Sequence, residues 1–177
     1  MGYGICRWLK HNGLSYPQIG KLICSSRGNI ESIRNCAEWL KSIHVSGRFI
    51  GVALLRGGKN ILERKMEELD EIVWYLEKNG VRREWMGYVV SRCPELLSFS
   101  MEELKNRANF YFNMGMNERD FGTMVFDFPK VLGFYSFEEM NQKVSKDCVF
   151  HEFLSFIGYT CTKPFPYDRL FFCSYTL

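Results

Sequence analysis

GYVVSRCPELL at residues 87–97 and GTMVFDFPKVL at residues 122–132 superpose without a gap: glycine first, apolar side chains third and fourth, proline eighth and leucine last. Working outward, GKLICSSRGNI at 20–30 and GVALLRGGKNI at 51–61 fall into the same frame. Each leading glycine, Gly20, Gly51, Gly87 and Gly122, stands seven residues after a landmark, respectively Gly13, His44, Gly80 and Gly115. An aromatic residue lies five before each landmark (Trp8, Trp39, Tyr75, Phe110), and the frame recurs at intervals of 31, 36 and 35 residues. Periods of that size mark solenoids, in which each unit buries its apolar face only against its neighbours.

The columns of this repeat describe its parts. Apolar residues recur one before the frame glycine (Ile19, Ile50, Met86, Phe121), two after it (Leu22, Ala53, Val89, Met124) and three after it (Ile23, Leu54, Val90, Val125). That i, i+3, i+4 pattern is one face of a helix. Glycine inside a helix costs about 1 kcal/mol relative to alanine, so four at one register imply close approach of a neighbouring helix. Pro94 and Pro129 stop the first helix of their units, because proline pushes its predecessor out of the helical region and lacks a donor.

A second helix follows in each unit. Ser100-Met-Glu-Glu103 and Ser136-Phe-Glu-Glu139 have the form of capping boxes. From the first of them Leu104, Ala108 and Tyr111 run down one face to Gly115, a left-handed stop, and Met66, Leu69, Val73 and Leu76 run likewise to Gly80. Helices are therefore expected at 15–27, 30–43, 47–57, 63–79, 82–93, 101–114 and 117–128, with incomplete ones at 4–12 and 137–144. Ile23, Leu54, Val90, Val125, Leu69, Leu76, Leu104 and Tyr111 are the expected core.

A two-helix unit of this length resembles the repeat of the mTERF family, the relatives of the mitochondrial transcription termination factor. The resemblance is carried by LEKNG at 76–80, FNMG at 112–115, the mid-helix glycine, and the proline motifs PELL at 94–97 and PKVL at 129–132. It covers residues 1–144, an array of about four repeats whose first and last are incomplete. The third and fourth repeats match in every column. The first two depart, with Arg27 and Gly58 in the place of the proline. The resemblance implies an all-α fold, an α-solenoid curved into a right-handed superhelix whose groove binds nucleic acid, double-stranded DNA or structured organellar RNA. It implies a monomer without cofactor or catalytic activity, acting in transcription termination or regulation, or in RNA processing and splicing. The wording of SMEELKNRANFYFNMGMNERDFGTMVFDFPKVLGF is similar to that of land-plant members, which points to the chloroplast first and the mitochondrion second. A repeat scaffold for protein partners and a non-functional truncated product are the other readings.

The net charge of +3 conceals a division. Residues 1–62 hold nine Lys and Arg against two Glu, whereas residues 63–144 hold eleven against fifteen acids. A basic first half is what a phosphate backbone seeks out. Arg27, Arg56, Lys59, Arg92 and Lys130 fall at the end of each first helix or in the turn after it, so stacking the repeats draws them into one line. Arg48 and Arg119 share another register near the helix starts and form a second set with Arg82 and Arg83. Asp127 occupies the register of Arg56 and Arg92, which argues against a strict code.

Catalytic chemistry finds no pattern. The seven cysteines form no C-x-x-C and no zinc spacing with His11, His44 or His151; near apolar registers they read as buried reduced thiols. His44 replaces a landmark glycine and reads as a helix-end residue. Glu67-Glu68, Glu102-Glu103 and Glu138-Glu139 open helices, where acids suit the macrodipole. Arg56-Gly-Gly-Lys59 lacks the spacing and the Ser or Thr of a phosphate loop. The first residues do not read as a transit peptide, signal or membrane span, although the resemblance leads one to expect a leader. Residues 145–177 hold six Phe, three Tyr, three Cys and two Pro without helical period; they read as translation through an intron or out of frame, with an unusual cap on the array as the alternative.

Overall fold

The computed structural model describes residues 2–133. The expected helix at 137–144, the Ser136 capping box and the tail at 145–177 lie outside them. Within them the chain is helical, with no strand: α1 Gly2–His11, α2 Tyr16–Ser25, α3 Ile30–Ser42, α4 Gly47–Leu62, α5 Met66–Lys78, α6 Arg83–Arg92, α7 Met101–Asn113 and α8 Glu118–Asp127. Short 3-10 helices at Pro94–Ser98 and Pro129–Leu132 follow α6 and α8. The first helices of successive units touch in order, α2 on α4, α4 on α6 and α6 on α8. The second helices form the other layer: α1 meets α3, α5 meets α7, and Trp39 of α3 donates its indole N–H to Asp70 of α5 at 2.8 Å. This is an all-helical solenoid.

Each second helix ends as its landmark demands. Gly13, Gly80 and Gly115 have φ of 87°, 93° and 90°, and His44 takes the same left-handed form at 65°. Glycine makes this bend without strain, whereas a residue with a Cβ holds it at a cost of about 1 kcal/mol or more. The turn then seats itself on the next unit. A Cβ on Gly87 would run into the backbone of Ile43 and His44, and one on Gly122 into that of Gly80 and Val81. At Gly51 the obstruction is the Leu14 side chain, with the Asn12 carbonyl 3.2 Å away. The close approach is therefore by the preceding unit's turn rather than by the side of a helix. Gly20 is the exception, being exposed with nothing within 4 Å of its Cβ position.

The expected core holds except at one position. Leu54, Val90, Val125, Leu69, Leu76, Leu104 and Tyr111 are all fully buried, but Ile23 is only half-buried and Leu22 takes the interior place. In the same unit Gly20 has no neighbour against it, so the face of α2 that bears Gly20 is open among the described residues. Trp39, Tyr75 and Phe110 sit at the core edge, which accounts for the aromatic before each landmark.

The helix expected to stop at 57 does break there: Gly58 adopts the non-helical φ 53° and ψ −142°, a kink within α4 beyond which a short helical segment runs to Leu62. In the first unit Arg27 (φ 53°) and Gly28 (φ 77°) make the stop that proline makes later. The Ser100 capping box forms as expected: Ser100 Oγ accepts from the Glu103 N–H at 3.1 Å, and the Ser100 N–H donates to Glu103 Oε2 at 2.9 Å.

The carbonyls that close the first-helix segments of the second, third and fourth units are satisfied from the unit before. Ser32 Oγ donates to the Leu62 carbonyl, Arg64 to that of Leu97, and Arg107 to that of Leu132 at 2.9 Å. Tyr111 adds a bond to the Val131 carbonyl at 3.3 Å. Buried backbone oxygens need such donors.

One substitution should have opposite effects at two frame positions. Gly87→Ala forces the His44 turn away and should destabilise the fold by about 1–3 kcal/mol, the usual range for overpacking. Gly20→Ala meets empty space inside a helix and should stabilise it by roughly 0.5–1 kcal/mol. Urea melts of the two variants check the sign; equal effects would refute the seating.

Candidate nucleic-acid interface

The nine cations of the two expected sets are all exposed. Arg27 lies in the turn after α2, Lys59 in the last turn of α4, Arg92 at the end of α6 and Lys130 in the 3-10 helix after α8. Arg56 lies at the expected place, two residues before the kink at Gly58 that breaks α4.

Stacking brings neighbouring members of this line together. Glu63 binds both Arg27 (3.9 Å) and Lys59 (3.7 Å), joining the first and second units through one carboxylate. The end of α4 packs on the 3-10 helix Pro94–Ser98, and α6 packs on Pro129–Leu132. Lys130 stands close enough to the Cys93 thiol, next to Arg92, for its charge to act on it. Arg56 makes no ion pair among the described residues.

The second set lies at the other end of the same layer. The carbonyl of Arg48 sits 3.5 Å from the Cβ position of Gly13, and the backbone at Arg119 lies against Gly80. Arg83 is engaged with Glu77 at 3.0 Å, while Arg48 covers the ring of Phe49 at 4.8 Å and Arg82 that of Trp85 at 4.7 Å. Both sets thus belong to the first-helix layer. The second layer contrasts with it most at α5, where Glu67, Glu68, Asp70, Glu71 and Glu77 stand against Lys78.

Sequence reasoning missed two features of this surface. One is Glu63, whose bridging role depends on a contact between units. The other is a row of rings: Trp85 and Tyr88 of α6 lie against Phe126 of α8, with centroids 4.5 and 5.2 Å apart, and Arg92 lies over Tyr88 at 5.4 Å. Its signal was aromatic residues on the side of α6 away from the apolar face.

The cysteines behave as packing groups. Burial pushes the Cys36 thiol up to about 11. Cys93 also rises to about 11, through burial first and then the neighbouring Glu95 carboxylate, against smaller opposing effects of the Leu96 N–H and Lys130. Cys24, by contrast, is exposed. Among the described residues no group of His, Cys, Asp or Glu is arranged to hold a metal ion, and no helix is long and apolar enough to cross a membrane. A cleft lined by Trp8, Arg34 and Glu38, with about 170 Å³ of space, is smaller than ligand pockets of a few hundred Å³.

Fold and surface together define a helical-repeat solenoid with a cation-bearing first-helix layer. The chain belongs to the mTERF family, whose model matches residues 10–152. It is 67% identical over 131 residues to a protein of Arabidopsis thaliana, "Transcription termination factor MTERF2, chloroplastic". The match covers 74% of this chain and 20% of that protein, so the chain spans about a fifth of the relative's length.

Two outcomes are expected. Glu63→Gln should release Arg27 and Lys59 from their shared carboxylate; exposed pairs contribute about 0.2–1 kcal/mol each, so affinity for a nucleic-acid duplex at low salt should rise roughly two- to fivefold. Fluorescence anisotropy of a labelled duplex measures this. Iodoacetamide at pH 8 with peptide mapping should label Cys24 rapidly and spare Cys36 and Cys93, whose thiolates are suppressed, until urea unfolds the chain.

Proposed function

We propose that this chain is a nucleic-acid-binding part of a plastid gene-expression regulator, gripping the phosphate backbone along Arg27, Arg56, Lys59, Arg92 and Lys130. The observation that carries the reading is the junction at Glu63, where cations of two successive units meet at one point of the first-helix layer. A cation line drawn across units follows a polyanion in a way that isolated surface charges do not. Family membership supports nucleic acid as the partner, and the relative's name supports the chloroplast and transcription termination.

The basic half carries more of the affinity in this reading. Arg92 and Lys130 sit in the acidic half of the chain, with Glu95 and Asp127 at the same helix ends and Glu84 and Asp120 at the helix starts, and these acids repel the same phosphates. Phosphate contacts position a nucleic acid without reading its sequence, so this line serves DNA duplexes and structured RNA alike. A scaffold for protein partners remains the competing reading, and its mark is insensitivity to salt.

Changing Arg27, Arg56 and Lys59 together to alanine should weaken binding to many sequences alike and flatten the salt dependence by about one unit per lost contact. Arg92→Ala and Lys130→Ala should have smaller effects. Titration of duplex DNA and of structured RNA at several salt concentrations provides the test. An unchanged slope in the triple variant, with large losses from Arg82, Arg83, Arg48 or Arg119, moves the interface to the helix-start register.

A further inference from the structure

The ring row on α6 and α8 meets the basic line only at Arg92, and its rings are not used by that line. Trp85 and Tyr88 stand one turn apart on α6, Phe126 reaches across from α8 to touch both, and the guanidinium groups of Arg82 and Arg92 lie over the two outer rings. Tyr88 is 42% exposed, so part of its ring surface is open to solvent, as are those of Tyr16 and Trp74.

The repeat itself does not demand these rings. At the register of Trp85 the other units hold Gln18, Phe49 and Asp120; at that of Tyr88 they hold Lys21, Val52 and Thr123; at that of Phe126 they hold Cys24, Leu55 and Ser91. The other joints between units therefore close without an aromatic trio, and its presence here is local. Glu84 and Asp127 flank the row, so simple phosphate attraction is weaker here than in the first half of the chain.

Rings flanked by arginines are the groups on which unpaired bases stack, the rings taking the base faces and the guanidiniums taking phosphates or stacking in turn. Bases inside a duplex are already stacked and do not offer those faces. We propose that Arg82, Trp85, Tyr88 and Arg92, with Phe126 behind them, form a stacking ledge for unpaired bases of single-stranded nucleic acid. The inference rests on the reading that this chain binds nucleic acid, and it assigns the strandedness that the basic line leaves open. A protein partner is the less favoured occupant: the rings are capped by cations rather than set in an open apolar groove, and cations with π faces match a polyanion that carries bases.

The test uses the whole chain with a fluorescein-labelled 12-nucleotide single strand of mixed sequence, made as RNA and as DNA, and the 12-base-pair duplex of the same sequence. Tyr88→Ala should weaken single-strand binding about tenfold, in line with the loss of one base stack, without altering the salt slope or duplex affinity. Tyr88→Phe should restore binding. Trp85→Phe should keep most of the affinity but lose the tryptophan quenching that accompanies single-strand binding. The RNA and DNA arms identify which strand is preferred. Single-strand affinity unchanged in Tyr88→Ala, or single-strand and duplex affinity falling equally, overturns the ledge while leaving the basic line intact. Wild-type protein that binds none of the probes at low salt overturns the underlying reading, and the ledge with it. Thermal melts of each variant confirm that the fold survives.

Discussion

The structure depends on a backbone contact between the left-handed turn that leads into one first helix and the glycine of the first helix one unit further on. With no Cβ at Gly87 or Gly122, the helix comes directly against the backbone of His44 or Gly80. This contact fixes where α4, α6 and α8 stand relative to one another, and with them the ends of the helices that carry Arg27, Lys59, Arg92 and Lys130. Hydrophobic burial supplies the main driving force, as in other proteins, but Leu54, Val90 and Val125 reach the interior only because the turns and seats hold the layers in register.

Much of this was legible because it is local backbone chemistry. The left-handed landmarks, the Ser100 capping box and the frame glycines each reveal themselves within a few residues of sequence. Gly58 belongs with them: at φ 53° it breaks α4 where the helix end was expected, and a short segment carrying Ile61 and Leu62 follows the kink. Ile23 and Gly20 misled because their columns were read as equivalent, whereas Gly20 has no turn against it among the described residues and Ile23 is only half-buried. The registers of the cations were readable in the same way as the frame. The bridge at Glu63 and the contact of Phe126 with Trp85 and Tyr88 were not, since both join residues from different units.

Arginine content alone is a poor guide to such a surface. Arg64 and Arg107 each spend a donor on the carbonyl that closes the neighbouring unit, and Ser32 does the same work without charge. The substitution of a hydroxyl for a guanidinium shows that the need at that place is a donor, not a cation. Part of the positive charge in this chain thus serves its own backbone, and position relative to the backbone ends separates these arginines from the exposed line.

The constant interval of seven between each turn and the seat that follows it also sorts the tolerance of the chain to insertion and deletion. Adding one residue within that interval rotates the seat by about 100° around its helix, so Gly87 or Gly122 would face away from the turn it must receive. Between a seat and the next turn no such phase is imposed, and the unequal intervals of 31, 36 and 35 residues arise there. Length variation among relatives should accordingly cluster around Arg27–Asn29 and Gly57–Lys65 and be absent between each landmark and its glycine, giving the family a ruler with fixed and elastic divisions.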